Sequence, residues 1–296
     1  TCIDWPVGKA GTNPLRADDW KFVQGLHDLA EAVHLYGAKI ATQLQHPGRQ
    51  GSALTSAEGQ QLVAPSEIPC LPTGAETPHV LTIEEIGVLI GKFIMGATIT
   101  KAAGFDAVEI QGGNGYLITQ FMSPYSNKRT DEYGGDFEGR MRFPISIIEG
   151  IRIAVGPDFP IIFRMCADEF VEGGLTLDDN KLIARRLEAA GVDAISVLSG
   201  IYESSPWYSK IFPPMGMPDG FNVPLAQEIK KAVKIPVIVA GKLGSPVLAE
   251  KVLRDGKADL IAMGRALLAD PELPQKAYEG RLEDIRPCIY CNEACI

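Results

Sequence analysis

The stretch that decides the fold is AAGFDAVEI (residues 102–110), which returns later in the chain as AAGVDAISV (residues 189–197). In both copies a helix-forming segment stops at a glycine, and an apolar run begins directly after an aspartate. A helix followed by a buried strand is the repeating unit of α/β folds, in which parallel strands are covered by helices. The repeat therefore predicts a parallel sheet built from βα units.

Six apolar, strand-like runs extend this alternation along the chain. Between them lie amphipathic patterns typical of helices, such as residues 18–36, 83–103 and 177–190. The six runs occupy residues 38–45, 107–111, 160–166, 193–198, 236–241 and 259–263. A closed (β/α)8 TIM barrel has eight strands. We therefore expect an α/β fold of TIM-barrel type with about six of the eight strands present.

Composition excludes several classes of protein. The 296 residues are 46% hydrophobic, enough for one large domain with a core. The formal charge, 28 − 37 = −9, comes without a basic block and argues against nucleic acid as a partner. No apolar run approaches the ~20 residues of a membrane span, and TCIDWPVGKAGTNP at the start lacks signal-peptide features. Six cysteines do not suggest a disulfide scaffold, so we expect a cytoplasmic protein.

Polar side chains gather where the second strand-like run ends. QGGNGY (residues 111–116) places Gln111, Asn114 and Tyr116 at the carboxyl end of that strand, where α/β barrels carry their chemistry. The glycines allow the backbone to approach a flat ligand closely. On the Gly/Asn pattern alone, a plain turn is an equally good interpretation.

Two other strand-like runs carry a polar residue in apolar surroundings. Gln43 has an amide that can donate and accept hydrogen bonds, either to a ligand or to the following loop. Arg164 lies within PIIFRMC, and buried arginines are rare unless they are paired. Arg164 therefore either faces a bound ligand or forms a core salt bridge with Asp168 or Glu169.

The last two strand-like runs predict a phosphate site. VIVAGKLGS (residues 237–245) and LIAMGRALL (residues 260–268) each carry a glycine between the strand and a helix start. Barrels often bind phosphate there, through backbone N–H groups and a helix N-terminus. No G-x-G-x-x-G occurs, so a Rossmann dinucleotide site is not supported. The candidate phosphate residues are Gly241, Lys242, Gly244, Gly264 and Arg265.

The end of the chain, RPCIYCNEACI (residues 286–296), is dense in thiols. Cys288, Cys291 and Cys295 follow the spacing C-x2-C-x3-C. In an intracellular protein this spacing favours Fe–S or metal ligation over a disulfide. Zinc is the alternative metal.

The chain resembles the Old Yellow Enzyme family, in its branch of NADH:flavin oxidoreductases and 2,4-dienoyl-CoA reductases with an iron–sulfur cluster. The matching motifs keep the family's order and spacing over essentially the whole chain. They are QLQHPGR (residues 43–49), AVEIQGGNGY (residues 107–116), SNKRTDEYGG (residues 126–135) and MGRALLADPELP (residues 263–274).

The resemblance implies roles for the candidate residues. Gln43 and Arg164 would contact the ring of FMN, where Arg164 stabilises the anion of the reduced flavin. Tyr116 would protonate the α-carbon of an activated C=C bond, since a phenol is protonated at neutral pH. Gln111 and Asn114 would hold the substrate's carbonyl oxygen. The family often has histidine at the first of these two positions, so here two neutral amides would polarise the carbonyl.

The resemblance also implies a domain organisation and partners. Residues 1–285 would form a partial FMN-binding barrel that lacks its first strands, with the FMN phosphate at Gly241, Lys242, Gly264 and Arg265. Residues 286–296 would begin a [4Fe–4S] segment whose fourth ligand lies further along. Electrons would come from NAD(P)H, through a downstream FAD and NAD(P) domain. The substrate would be a small unsaturated carbonyl compound, and a homo-oligomer is compatible with this reading.

Two alternative functions stay open. An amine dehydrogenase of the same family favours an aromatic cage for its ammonium group, and Tyr202, Trp207, Tyr208 and Phe212 lie close together in the sequence. A non-redox barrel that binds a phosphorylated ligand is the alternative from a different class.

Overall fold

A curled parallel sheet of six strands forms the centre of the computed structural model, which describes residues 1–11, 13–51, 60–74, 76–204 and 209–293. The strands of this part of the chain are β1 (Ala41–Leu44), β2 (Val63–Ala64), β3 (His79–Val80), β4 (Ala107–Gly112), β5 (Ile161–Cys166), β6 (Ala194–Leu198), β7 (Val237–Ala240) and β8 (Leu260–Ala262). The sheet order is β1-β4-β5-β6-β7-β8, and β2 pairs separately with β3. The six expected strand-like runs and the α/β fold class are thereby confirmed.

Helices cover the outer face of this sheet. They are α1 (Val23–His34), α2 (Ile83–Ala102), α3 (Leu117–Met122), α4 (Phe137–Val155), α5 (Leu177–Ala189), α6 (Val223–Ala232), α7 (Pro246–Arg254), α8 (Arg265–Ala269) and α9 (Leu273–Tyr278). The longest helix, α2, starts at a capping box in which the Thr82 hydroxyl accepts the N–H of Glu85 and the Glu85 carboxylate accepts the N–H of Thr82. No helix among the described residues is long and apolar enough to cross a bilayer.

The two faces of the sheet differ in polarity. Successive side chains of a strand point to opposite faces. Val108, Ile110 and Phe163 are fully buried beneath the helices, whereas the alternate residues Glu109 and Arg164 are only half-buried. The inner face therefore presents polar groups to the space that the curled sheet surrounds.

Three aspartates join neighbouring βα units, and they explain the repeated Gly-x-Asp pattern. We call Asp106, Asp193 and Asp259 the strand-start aspartates. Each carboxylate accepts a backbone N–H from the start of the preceding strand of the sheet, and each aspartate N–H is donated back to the carbonyl of the same residue. The carboxylate bonds join Ile40 N to Asp106 (2.9 Å), Ile161 N to Asp193 (2.7 Å) and Val237 N to Asp259 (2.9 Å).

Candidate active site

Two cavities open at the carboxyl ends of the strands, and their volumes fall within the range of small-molecule sites. The first has a volume of about 470 Å³, and its lining residues are Gln43, Gln45, Gln111 and Tyr116 together with Ala10, Gly11, Asn13 and Pro14. The second has a volume of about 330 Å³. It is lined by predicted site residues from β5, β7 and β8 and the turns after them, namely Arg164, Gly241, Lys242, Gly244, Gly264 and Arg265.

A row of polar side chains on the inner face connects these two cavities. Gln43 Nε2 donates to Glu109 Oε1 at 2.5 Å, and the same oxygen lies 3.7 Å from Arg164 Nη1. Arg164 Nη1 also donates to the Ser196 hydroxyl at 3.4 Å. The carboxylate that faces Arg164 is therefore Glu109, rather than either of the two acidic residues that follow β5.

Glu109 is a residue that the sequence analysis missed. A signal was present, because a lone carboxylate between Val108 and Ile110 in an apolar strand needs a partner. Its partners come from two neighbouring strands, so the pairing depends on the register of the sheet. In that register Gln43 lies opposite Glu109, and Arg164 lies opposite Gln111.

The turn after β4 orients the predicted substrate-binding amide. The side-chain oxygen Oε1 of Gln111 accepts the N–H of Gly113 at 3.2 Å. The side-chain NH₂ group of Gln111 is therefore left to donate into the first cavity. Asn114 adopts a left-handed conformation (φ 56°) two residues before Tyr116, which asparagine tolerates well. Asn114 is not among the residues that line this cavity.

Tyr116 is held at the start of α3, where it is the N-cap residue. Its ring packs edge-on against Tyr202, with 6.4 Å between ring centres. The backbone N–H of Leu117 donates to the His46 carbonyl at 3.0 Å. Gln120 Nε2 donates to the Pro47 carbonyl at 2.9 Å. These hydrogen bonds therefore join the loop after β1 and the start of α3 into one unit.

A buried cluster of charged residues contacts the loop after β1 and the end of α3. The sequence analysis did not identify this cluster. Arg49 is 1% exposed, and its guanidinium lies 2.5 Å from Glu203 and donates to the Pro69 carbonyl at 3.0 Å. Glu169, also 1% exposed, accepts the Ser123 hydroxyl at 2.6 Å. Burial raises the pKa of Glu169 to about 7. These residues lie far apart in the sequence, so only the folded chain reveals the cluster.

The predicted phosphate cations are held by the chain's own loops. Lys242 Nζ donates to the carbonyls of Met215 (2.9 Å) and Met217, and lies 3.3 Å from Asp219. Two carbonyls and one carboxylate therefore surround this ammonium. Arg265, the other cation, donates from Nη1 to the Pro213 carbonyl at 3.0 Å.

Two of the three predicted metal-binding cysteines lie within the described residues. Cys288 is half-buried and Cys291 is exposed, both as free thiols, whereas Cys295 lies outside the described part. The Cys288 sulfur accepts the N–H of Tyr290 at 3.4 Å. No group of three metal-binding side chains comes together within the ranges that the structure describes.

Comparisons with known proteins agree with this arrangement. The chain is 52% identical over 294 residues to the NADH oxidase of Thermoanaerobacter brockii, covering 99% of this chain and 44% of that protein. It is 38% identical over 299 residues to the cinnamate reductase of Clostridium sporogenes, covering 96% and 44%. A solved complex of 2-naphthoyl-CoA reductase with 2-naphthoyl-CoA matches with a TM-score of 0.90 at 34% identity, covering 97% and 44%. The chain thus spans less than half the length of each.

One family model, described as the NADH:flavin oxidoreductase / NADH oxidase family, matches residues 6–284. This range includes all six strands of the sheet and every residue that lines the two cavities except Tyr290. The chain therefore belongs to the NADH:flavin oxidoreductase / NADH oxidase family.

Proposed function

We propose that this chain is the flavin-binding part of an FMN-dependent oxidoreductase that reduces an activated C=C bond with electrons from NAD(P)H. One observation carries the proposal. The NH₂ group of Gln111 and the phenol of Tyr116 line the same cavity, and this cavity is joined through Glu109 to the cation of Arg164. Family membership favours this reaction over the non-redox phosphate-binding alternative.

The polar row fits the edge of a flavin ring, which presents both carbonyl oxygens and an N–H group. Because Gln43 donates its NH₂ to Glu109, its carbonyl oxygen is left to accept from the ring. Arg164 uses only Nη1 toward described residues, so its other N–H groups are left for a ligand's oxygen or nitrogen. A donor and an acceptor thus stand side by side, as this ring edge requires.

Each residue has a distinct part in the proposed reaction. Bound FMN supplies the two-electron redox chemistry. The Gln111 amide donates to the carbonyl oxygen of the substrate and stabilises negative charge there. Tyr116 holds the proton that the substrate's α-carbon takes up, and it lines the cavity from the start of α3. Arg164 stabilises negative charge on the ring.

The substrate class follows from the amides and from the relatives. The Gln111 amide is neutral, so it polarises a carbonyl without any charge that depends on pH. Two of the relatives are named for unsaturated carbonyl compounds, a cinnamate reductase and a 2-naphthoyl-CoA reductase. We propose an enone, an enoate or an unsaturated thioester.

We also propose that residues 286–296 begin a [4Fe–4S] segment, with Cys288, Cys291 and Cys295 as three of its four ligands. The described thiols are compatible with this role. Both are free, and the N–H of Tyr290 already points at the Cys288 sulfur, which is the kind of hydrogen bond that tunes cluster thiolates.

The reaction is tested by replacing Tyr116 with Phe in the full-length protein and following both half-reactions by stopped flow. Bleaching of the flavin by NAD(P)H needs no acid from Tyr116, so its rate should stay within a few-fold. Reoxidation by an enone should slow by ~10²-fold or more, the usual contribution of a positioned general acid. Tyr133→Phe is the matched control, because that ring packs against Phe121.

Three other outcomes would count against the proposal. Equal slowing of both phases would mean that Tyr116 only supports the fold. Undiminished alkene reduction would remove it as the acid. Rapid bleaching by a tertiary amine, with no reoxidation by any unsaturated carbonyl compound, would favour the amine dehydrogenase alternative.

A further inference from the structure

Tyr290, between two of the predicted metal-binding cysteines, has a conformation that tyrosine rarely adopts. Its φ is +56°, in the left-handed region that favours glycine. A bulky residue persists there only where its surroundings hold it in place. The neighbours of Tyr290 therefore hold it in this conformation.

Those neighbours are the residues predicted to bind phosphate. Lys242 Nζ lies 5.2 Å and Arg265 Cζ lies 4.8 Å from the centre of the Tyr290 ring, both over its face. The Tyr290 hydroxyl lies against Gly244, where any added Cβ would collide with it. The Tyr290 carbonyl accepts the N–H of Met215 at 3.0 Å.

A second residue of the same segment fixes one of these cations. Asn292 Oδ1 accepts from Arg265 Nη1 at 2.5 Å, and Asn292 Nδ2 donates to the Phe212 carbonyl at 2.8 Å. Toward the described residues, Arg265 donates only from Nη1, to Asn292 and to Pro213. Its remaining N–H groups are therefore left for an anion in the second cavity, which Arg265 and Tyr290 both line.

We propose that Tyr290 is a positioning residue that fixes the Arg265 guanidinium for the phosphate of FMN and so couples phosphate binding to docking of residues 286–293. The proposal rests on the FMN site proposed above. An arginine that is ordered before its ligand arrives loses less conformational entropy on binding. Coupling between two binding events is reciprocal, so a bound phosphate should also hold the cysteine-bearing segment in place.

The first test measures the affinities of FMN and riboflavin, which differ by the phosphate, for flavin-free full-length protein by quenching of flavin fluorescence. With Tyr290→Ala, FMN should bind ~10-fold more weakly, because two cation–π contacts are lost. Riboflavin affinity should change less than threefold. Tyr290→Phe keeps the ring over both cations and should lose much less.

Two further variants distinguish loss of the Tyr290 ring from backbone strain at this position and from the general effect of removing a tyrosine. Tyr290→Gly removes the ring and suits the left-handed backbone, so it should match Tyr290→Ala if the ring carries the effect. Tyr278→Ala is the matched control, because Tyr278 is 90% exposed, and it should bind both flavins as the unaltered protein does.

The second test follows hydrogen exchange in residues 286–293 of the full-length protein. FMN should slow exchange there, and riboflavin should slow it much less. Unchanged exchange on adding FMN would overturn the coupling.

The affinity results can also overturn the proposal. Equal weakening of FMN and riboflavin would mean that Tyr290 supports the whole pocket, and tighter FMN binding by Tyr290→Ala would mean that the ring occupies the phosphate's place. If the unaltered protein binds neither flavin, the FMN site itself fails, which is a distinct result.

Discussion

At the scale of a single residue, Glu109 supplies the negative charge in the row of polar side chains on the inner face of the sheet. Its carboxylate contacts Gln43 and lies 3.7 Å from Arg164. In the proposed flavin site, Arg164 would stabilise negative charge on the bound ring and Glu109 would oppose it. Removing one or the other should therefore shift the flavin's reduction potential in opposite directions.

We expect Glu109→Gln to raise the midpoint potential of the bound flavin by ~20 mV, corresponding to ~1 kcal/mol for a two-electron couple. Arg164→Ala should lower it and weaken flavin binding. Anaerobic titration of both variants with dyes of known potential measures the shifts. Glu149→Gln, on the exposed side of α4, should leave the potential unchanged. Shifts of the same sign would remove Arg164 and Glu109 from the ring's edge.

Glu169 should make stability depend on pH near neutrality. Its pKa is raised to about 7 by burial. The folded state therefore holds a proton that the unfolded chain releases at lower pH. This contribution to stability is complete below the ordinary pKa of glutamate and is lost as the pH rises through about 7, an effect of ~2–3 kcal/mol.

Glu169→Gln should abolish this part of the pH dependence. The Ser123 hydroxyl and the Leu175 N–H both donate to Oε2, and an amide oxygen in that place can accept both. Urea unfolding at pH 5.5 and pH 8.5 should show the original protein losing stability relative to the variant at the higher pH. Parallel pH profiles would mean that Glu169 is ionised when folded throughout this range.

The sequence was a better guide to which residues lie at the site than to which residues they contact. Gln43, Gln111 and Tyr116, all predicted site residues, line one cavity, and Arg164 lines the other. Their chemical roles stay predictions. The salt bridge of Arg164 with Asp168 or Glu169, one of the two alternatives from the sequence, is replaced by Glu109, which comes beside Arg164 only through the register of β4 and β5.

At the scale of the elements, the strand-start aspartates hold successive βα units together. The Asp106 carboxylate accepts from Lys39 Nζ (2.8 Å), from the N–H of Ile40 (2.9 Å) and from His34 Nε2 (2.7 Å). Lys39, the Ile40 N–H and His34 together hold the pKa of this carboxyl well below its usual range. The Asp106 carboxylate is therefore ionised at neutral pH, where it can accept these three hydrogen bonds.

Asp106→Ala should destabilise the protein by ~1–3 kcal/mol, because the backbone N–H of Ile40 loses its partner. Asp106→Asn keeps an oxygen that can accept this N–H and loses only the charge, so it should cost ~1 kcal/mol or less. Urea unfolding at pH 7 compares the two. Equal losses would mean that the ion pairs, rather than the backbone bond, carry the stability.

Periodicity predicted the long elements and missed the short ones. The six sheet strands coincide with apolar runs, and α2 and α5 with amphipathic patterns, because burial of one face imposes a period on the sequence. Strands β2 and β3 have two residues each and pair through the fold around them. A segment of that length is too short to show any period.

At the scale of the whole molecule, the inner sheet and the cysteine segment meet at the second cavity, which Arg164 and Tyr290 both line. The proposed ring site and the proposed cluster segment are thus neighbours across one cavity. Such proximity suits electron exchange between the two groups when both are bound.

The full-length protein, purified without oxygen, should contain iron and acid-labile sulfide. Cys291→Ser should lose most of both, because the cluster loses a ligand. Cys70→Ala, which removes a buried thiol far from residues 286–296 in sequence, should keep them. Metal analysis and sulfide assay give the result, and stoichiometric zinc without iron would favour the zinc alternative.

The strand-start aspartates also bear on the order in which the strands of the large sheet assemble. Each accepts its backbone hydrogen bond from the start of the previous strand of the large sheet. Within that sheet, each strand lies beside the one that comes before it in the sheet's chain order, although β2 and β3 lie between β1 and β4 in the sequence. As the chain leaves the ribosome, every new strand of that sheet finds its partner already in place. Domains that form during synthesis fold from the N-terminal side, and contacts between successive units keep loop closure short. The sheet can therefore grow one βα unit at a time, at the pace of translation.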